Sequence, residues 1–184
     1  MNPKLFMILV GCKPQGRHTE QHDIVFAIAN TIEETREELL AFWPEANGRL
    51  HMDGWREVNC VDGYRVRVTE KGTGSSSGKH LFFINLGGYR PGEFDEPHYK
   101  MLVVADDLAE AGKMAKQSAF YKHVGFAGAP SHIDDKYGVD VDDAYAVADM
   151  LSDAVKTRYT LEIVEATDLV EDELHLGYMP LYKN

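Results

Sequence analysis

Histidines and acidic residues occur in closely spaced pairs at four places in the sequence. The pairs are Glu20 with His22, His51 with Asp53, Glu96 with His98, and His132 with Asp134. Because alternate residues of an extended chain point to the same side, the two members of each pair are expected to share a face. Mixed sets of imidazole and carboxylate suit Zn, Mn, Ni or non-haem Fe. They also suit acid–base chemistry, in which the carboxylate orients the imidazole.

Three functions are compatible with these pairs. The leading hypothesis is a small-molecule or metal-ion binding protein in which all eight residues are candidate metal ligands, while the cofactor is unknown and a divalent metal is one candidate. The second is a hydrolase or isomerase in which His22 or His98 is the general acid or base. The third is a non-catalytic protein-interaction module, in which the pairs only form structural hydrogen bonds. The sequence does not show whether the two pairs of one unit converge.

The chain contains an internal duplication. Residues 4–29 align with residues 80–105 at a constant offset of 76, with eight identities that include the Glu-x-His pairs. Residues 51–66 align with 132–147 at an offset of 81, which matches the two His-x-Asp pairs. A Gly/Ser-rich segment between the copies is typical of a linker. We therefore predict a first unit at 1–69, a linker at 70–79, a second unit at 80–166 and a C-terminal tail at 167–184.

These pairs must be positioned by short strands and one helix in each unit. Apolar runs at 5–10 and 24–29 predict two strands, and residues 31–43 predict an amphipathic helix. The Asp62-Gly63 dipeptide indicates a hairpin. In the second unit, strands are predicted at 81–86 and 99–105, followed by a helix from 108 to about 121, while 144–156 is left open between helix and strand. The predicted fold is α+β, with two tandem β-β-α-β-β repeats packed with pseudo-twofold symmetry.

Capping signals and glycine-rich loops recur in both units. Thr31 and Asp107 are each followed three residues later by glutamate, the pattern of a capping box. The loops GCKPQG and GGYRPG follow the first strand of each unit, and turn geometry is the expected reason for their glycines. Arg17 and Arg90 near these loops are weak candidates for binding an anionic ligand. The cluster of aspartates between 134 and 143, which includes Asp142, is predicted to be a solvated acidic face.

Composition limits the partners and the compartment. With 30 acidic against 19 basic residues the formal net charge is −11, which disfavours binding to a nucleic-acid backbone. Two cysteines are too few for a disulfide-dense secreted scaffold. The apolar run at 5–10 is too short for a membrane helix. We therefore expect a cytoplasmic protein without membrane or nucleic-acid partners, and the oligomeric state is left open.

Several of these stretches together resemble domain-of-unknown-function family 1543, whose members carry one or two copies of the domain. The resemblance rests on KLFMILVG, TEQHD, AFWPEA, HMDGWREV and VDGY in the first unit, and on LGGYRPGEF, AFYKH and SHIDDKYGVDVDD in the second. It spans nearly the whole chain apart from the tail. The resemblance implies a two-copy bacterial member that is cytoplasmic. It implies no activity and no catalytic residue, and the second unit departs from the first in having Lys136 where the first has Trp55.

Overall fold

The computed structural model describes residues 3–74, 77–88, 92, 94–117 and 140–182. Within these ranges the chain is α+β: ten strands form three antiparallel sheets, accompanied by short helices. The chain divides into two compact units, one made of residues 1–76 and 150–184 and the other of residues 77–149. In the described part of the chain, no helix is long and apolar enough to cross a membrane.

The main sheet of the first unit has four antiparallel strands. They are β1 (Lys4–Cys12), β2 (Gln21–Ala29), β3 (His51–Glu57) and β10 (His175–Pro180). Their order across the sheet is β10-β3-β1-β2, so β1 and β3 are the inner strands. The two strands predicted from the apolar runs are confirmed, and β2 begins three residues earlier than expected.

One face of this sheet is covered by helix α1 (Arg36–Phe42), which a 3₁₀ turn at Ile32–Thr35 precedes. Alternate side chains of β1, including Phe6, Ile8 and Val10, pack in one buried cluster with Leu39 of α1. Burying each of these side chains stabilises the fold by about 1.5–3 kcal/mol. The opposite face of β1, which carries Gly11, is left for the polar pairs.

A second sheet of the first unit consists of β4 (Cys60–Val61), β5 (Tyr64–Glu70) and β9 (Tyr159–Glu165). The predicted hairpin is confirmed, since Asp62 and Gly63 have φ of +52° and +83° between β4 and β5. β9 pairs with the whole length of β5. The strand that was expected to close the second unit at 166 is therefore part of the first unit.

The C-terminal residues also belong to the first unit. β10 pairs with β3, and Leu181 is 5% exposed within the core cluster. The Arg36 guanidinium donates from Nε to Leu181 O at 2.7 Å, which ties this segment to α1. Part of the segment predicted as a tail at 167–184 is therefore an edge strand of the main sheet, and Leu181 joins the core.

The second unit has one three-stranded sheet and one helix among its described residues. The strands are β6 (His80–Gly87), β7 (His98–Ala105) and β8 (Asp140–Ala146), in the order β7-β6-β8. Helix α2 (Leu108–Lys116) buries Ala111 and Ala115 against Phe82, Ile84 and Leu86.

Residues 144–156, left open by the sequence, divide between strand and helix. β8 ends at Ala146 and is followed by two short helices, α3 (Val147–Met150) and α4 (Asp153–Arg158). No hairpin partner follows β8 among the described residues, so the observed order of the second unit is β-β-α-β. The predicted fifth element of that repeat does not appear among the described residues of the second unit.

The helix caps of the two units differ. Asp107 accepts a hydrogen bond from the Glu110 amide at 2.8 Å, as predicted, whereas Thr31 makes no side-chain cap bond. In both units the glutamate side chain accepts from the amide just before the cap residue, at 2.9 Å for Glu34 and 2.7 Å for Glu110. The capping box is thus confirmed in the second unit. In the first unit the predicted glutamate bond is present, but the predicted bond from the Thr31 side chain is not.

The strand registers match between the units, but at two different offsets. β1 pairs with β2 as β6 pairs with β7, at the predicted offset of 76. The third strand follows an offset of 89, because Gly11 pairs with His51 whereas Gly87 pairs with Asp140. The alignment of 51–66 with 132–147 at offset 81 therefore does not correspond to the strand pairing. A longer connection before β8 than before β3 accounts for the difference.

Candidate functional site

The centre of the first cluster is Gly11 on strand β1. It pairs with His22 on β2 and with His51 on β3, which places both imidazoles on its face of the sheet. A Cβ at this position would lie 2.5 Å from Asp53 Oδ2 and 2.7 Å from His51 Nε2, so any larger residue would collide with the cluster. Turn geometry, the predicted reason for this glycine, was wrong here. It applies to Gly16, whose φ is +79°.

A β-bulge brings Asp53 into the cluster. Leu9 pairs with Gly54 and the next residue, Val10, pairs with Met52, so Asp53 is an extra residue without a partner on β1. A bulge bends the strand and redirects the side chain of the extra residue. Asp53 and His51 therefore reach the same space over Gly11.

Four side chains form a closed ring of contacts. His51 Nε2 lies 3.1 Å from Glu20 Oε1 and 3.3 Å from Asp53 Oδ2. His22 Nε2 lies 3.1 Å from Asp53 Oδ2 and 3.8 Å from Glu20 Oε2. The two predicted pairs of the first unit thus converge, with Glu20 supplied by the loop that enters β2.

The ring contains a buried histidine and a buried carboxylate oxygen. His51 is 4% exposed, and its Nδ1 lies 3.3 Å from Arg49 O. If Nδ1 donates to that carbonyl in a neutral ring, Nε2 presents a lone pair to two carboxylates. Asp53 Oδ2 is buried and accepts no hydrogen bond from the described residues, although two ring nitrogens lie within 3.3 Å of it.

The donor types suit a small cation, and part of the geometry does. Two ligand atoms bound to one ion at 2.0–2.2 Å are separated by about 3 to 3.6 Å, and three of the four contacts in the ring lie in this range. Among the described residues only Glu96, His98 and Asp142 bring three ligand atoms within 4.8 Å of one another, so the first ring would have to contract for one ion to contact three or four of its side chains. Two carboxylates would balance the charge of a divalent ion. The Arg49 carbonyl would hold the His51 ring in the tautomer that leaves Nε2 free, as outer-shell carbonyls do for metal-binding histidines.

Exposure is uneven across the ring. The side chains of Glu20 and His22 are 45% and 41% exposed, whereas that of His51 is 6% exposed. The ring is therefore buried on the β3 side and open to solvent on the β2 side. An ion held there could accept water or a small ligand from the open side.

Strand β10 contributes aromatic contacts that the sequence reasoning missed. The Tyr178 ring lies over His51 with centroids 4.5 Å apart. His175 stacks on Trp55, with centroids 3.8 Å apart and planes 15° from parallel. Trp55 also packs partly buried against the core cluster and makes an edge contact with Phe6. The run HLGYMP gave no clear signal for Tyr178, because its glycine and proline are unfavourable in strands and it lay in the segment assigned to the tail.

The second unit builds a corresponding cluster from Glu96, His98 and Asp142, whose ligand atoms all lie within 4.8 Å of one another. His98 Nε2 is 3.1 Å from Asp142 Oδ2, the same distance as between His22 and Asp53. Asp142 is again the extra residue of a bulge, since Asn85 pairs with Asp143 and Leu86 with Val141.

Gly87 occupies the place that Gly11 has in the first unit. A Cβ on Gly87 would overlap Asp142 Oδ2, so a larger residue here would displace the Asp142 carboxylate from the cluster. The register puts Asp142, and not Asp134, at the position equivalent to Asp53. Asp142 is exposed, as predicted for a solvated acidic face, and it also contacts His98.

Four of the remaining predicted residues have less structural support. His132, Asp134 and Arg90 lie outside the described residues. Arg17 lies in the exposed loop after β1, where its backbone amide donates to Pro14 O at 3.2 Å. A role for Arg17 and Arg90 in binding an anion stays a prediction.

Neither cysteine has the lowered thiol pKa that is typical of a reactive cysteine. Cys12 and Cys60 are both free thiols, and Cys12 is buried in the core cluster on the opposite face of β1 from Gly11. Burial raises the pKa of the Cys12 thiol, with Arg49 opposing the shift. A protonated thiol is a poor nucleophile and a poor metal ligand, so the cluster is one of nitrogen and oxygen donors.

Comparison with known proteins supports the resemblance found in the sequence. The model of the family described as Domain of Unknown Function (DUF1543) matches residues 17–68, the segment that contains all four residues of the first cluster. This match confirms the resemblance to that family. The crystal structure of a protein Il1583 from Idiomarina loihiensis is similar to this chain at 27% identity and a TM-score of 0.65, covering 99% of this chain and 100% of that one. No protein of curated function matches the sequence.

Proposed function

We propose that this chain, which carries a segment of the DUF1543 type, is a metal-ion binding protein whose first site is formed by Glu20, His22, His51 and Asp53. The supporting observation is Asp53 Oδ2, a buried oxygen that lies 3.1 and 3.3 Å from two ring nitrogens without accepting a hydrogen bond. An unpaired buried carboxylate oxygen is costly. A cation shared with the two imidazoles would remove this cost.

The donor set favours Zn²⁺ over harder ions. Two imidazoles and two carboxylates make a nitrogen–oxygen site, and Zn²⁺ binds such sites more tightly than Mn²⁺ or Fe²⁺. The open side formed by Glu20 and His22 leaves room for a water or a small organic ligand. Such a ligand would be anionic or carry a lone pair, because it would bind a cation.

Elemental analysis tests this proposal. Untagged protein treated with EDTA and then dialysed against Zn²⁺ should retain zinc, and His22→Ala combined with Asp53→Asn should lose the zinc held by the first unit. His18→Ala, which removes an exposed loop histidine close to His22, is the matched control and should bind as the wild type does. If the double variant and the wild type retain the same zinc, the first site does not exist.

A second candidate function is acid–base catalysis. His22 and His98 each lie 3.1 Å from an aspartate oxygen and are partly exposed, an arrangement in which a carboxylate orients a general base. Alanine at both histidines should abolish hydrolysis of a p-nitrophenyl ester panel while the melting temperature stays nearly unchanged. If instead the double variant loses much of its stability, the pairs are structural clasps, as in an interaction module.

We also infer that the two units are tandem copies of one β-β-α-β element. The support is the equal pairing of β1–β2 and β6–β7 at offset 76, with a bulge at the same step of the third strand. A pseudo-twofold arrangement of the copies is the expected consequence of duplication. Small-angle scattering with the profile of two separated bodies would contradict it.

A cytoplasmic location without nucleic-acid partners remains part of the proposal. It is supported by two unpaired cysteines and by the net charge of −11. Fractionation of cells that express the protein at its natural level tests the location. Recovery outside the cytosolic fraction would contradict it.

A further inference from the structure

We propose that the cluster of the second unit, Glu96, His98 and Asp142, is a separate cation site with a different preference from the first: it takes a hard, oxygen-preferring divalent ion such as Mn²⁺. The inference rests on the proposed function in treating both clusters as cation sites. It goes further by assigning Asp142 as a ligand and by giving the two units different ions.

The geometry of this cluster is that of one ion's ligand set. Oxygen and nitrogen atoms of the three side chains lie within 4.8 Å of one another, and His98 Nε2 is 3.1 Å from Asp142 Oδ2. Gly87 lies beneath the cluster, where a Cβ would overlap the Asp142 carboxylate. The bulge at Asp142 and the glycine on the neighbouring strand β6 are the same two backbone features that form the first site.

The donors of the second cluster are richer in oxygen. The first cluster has two imidazoles and two carboxylates, whereas the second has one imidazole and two carboxylates. The register explains this change, because the position opposite the central glycine is His51 in the first unit and Asp140 in the second. The strand position paired with the central glycine is thus a histidine in the first unit and an aspartate in the second.

A nearby amide adds to this oxygen-rich character. Asn85 lies two residues before Gly87 on β6, so its side chain shares the face of the sheet with the cluster. Its Oδ1 is buried and accepts no hydrogen bond from the described residues. The equivalent residue of the first unit is Leu9, at the offset of 76, which offers no donor atom.

Exposure points in the same direction. His98 is about as exposed as His22 of the first unit, at 37% and 41%, but Asp142 is more exposed than Asp53, at 34% and 24%, and no described residue of the second cluster corresponds to the buried His51. Solvent can therefore supply the remaining ligands. Hard divalent ions keep several waters when bound to proteins and are satisfied by a few carboxylates. The advantage of Zn²⁺ shrinks when imidazole is replaced by carboxylate and water.

Metal titrations on the full-length chain test the inference. Protein stripped with EDTA is titrated with Mn²⁺ alone, followed by the electron paramagnetic resonance of free Mn²⁺, and separately with Zn²⁺ in competition with a chromophoric chelator. The variants are Asp142→Asn for the second site and His22→Ala for the first. Asp153→Asn, a fully exposed aspartate, is the control for removing one negative charge.

We expect each of the two variants to weaken the binding of a different ion. Asp142→Asn should weaken binding of Mn²⁺ by at least about tenfold and leave the tighter Zn²⁺ site unchanged. His22→Ala should do the reverse, and Asp153→Asn should change neither. Mn²⁺ binding that is unaffected by Asp142→Asn, or lost in His22→Ala, would overturn the inference. Loss of Zn²⁺ binding in neither variant would instead overturn the proposed function of the first site while leaving the second site intact.

A gain of zinc binding provides a second, independent readout. Asp140→His would restore a histidine at the register position that His51 holds in the first unit. We expect this variant to raise the Zn²⁺ affinity of the second site by about tenfold. A folded variant with unchanged Zn²⁺ affinity would show that the exchange at this position does not set the preference, and would overturn that part of the inference.

Discussion

The two polar clusters use the same scaffold but differ in depth and in donors. Each lies over a strand glycine, beside a histidine from the neighbouring strand and an aspartate at a bulge. The first cluster adds a buried histidine, and Tyr178 of β10 covers it. The second is open and has an acidic residue at that position. Under the proposed duplication, the two units would keep the same backbone features around the glycine while their side chains change the donor atoms on offer.

The largest expected effect comes from filling the space over the central glycines. Gly11→Ala should lower the Zn²⁺ affinity of the first unit by at least about 100-fold, because the new Cβ would occupy the space of Asp53 Oδ2 and His51 Nε2. Gly87→Ala should affect only the ion of the second unit. Chelator competition measures the first effect and manganese resonance the second.

Gly112→Ala is the control for these substitutions. Its Cβ would come no closer to a neighbouring side chain than 3.9 Å, at Val141 Cγ2, and alanine is the better helix former, so neither ion should be affected. If Gly11→Ala binds zinc as tightly as the wild type does, the space over Gly11 is not needed for zinc binding. The matching glycines of the two units would then have no role in metal binding.

A smaller effect is expected from the aromatic cover, which the described part of the second unit lacks. Tyr178→Ala removes the ring that lies over His51 and leaves all four donor side chains in place. Because Tyr178 makes a ring contact rather than a hydrogen bond to His51, the loss of Zn²⁺ affinity should be below the about tenfold that outer-shell hydrogen bonds usually contribute. Isothermal titration of the variant measures it. Tyr182→Ala, a partly exposed tyrosine just beyond β10, is the matched control.

The smallest effect concerns the helix caps. Asp107→Ala should destabilise its unit by about 1 kcal/mol, because the side chain accepts from the Glu110 amide. Thr31→Ala should cost much less, since Thr31 makes no side-chain cap bond. Hydrogen exchange of the amides in α1 and α2 measures the two effects separately. Equal losses of protection in the two helices would contradict the difference between the caps.

Local patterns in the sequence predicted much of the fold. The strands β1, β2, β6 and β7, the Asp62-Gly63 hairpin and the Asp107 cap all follow from apolar runs, turn residues and capping chemistry within a few residues. The pairing of Glu20 with His22 was predicted by the same short-range reasoning. These features depend on neighbours along the chain, so the sequence could specify them.

The assignments that failed depended on contacts between distant parts of the chain. β9 and β10 pair with β5 and β3, about 90 to 125 residues earlier, and nothing in their own composition indicates which strand they join. The equivalence of Asp142 with Asp53 was missed because the alignment followed the identities at 132 and 134. The hydrogen-bond register, and not the residue types, decides which position faces Gly87.

The sequence by itself determined the α+β class, the repeated glycine, glutamate and histidine of each first strand pair, and the residue types of a nitrogen–oxygen cluster. Only the tertiary structure decided that Glu20, His22, His51 and Asp53 meet, and that Asp142 joins Glu96 and His98. The physical reason is the bulge in β3 and β8: one unpaired residue turns an aspartate towards its neighbouring strand, and a bulge is defined by pairing with another strand.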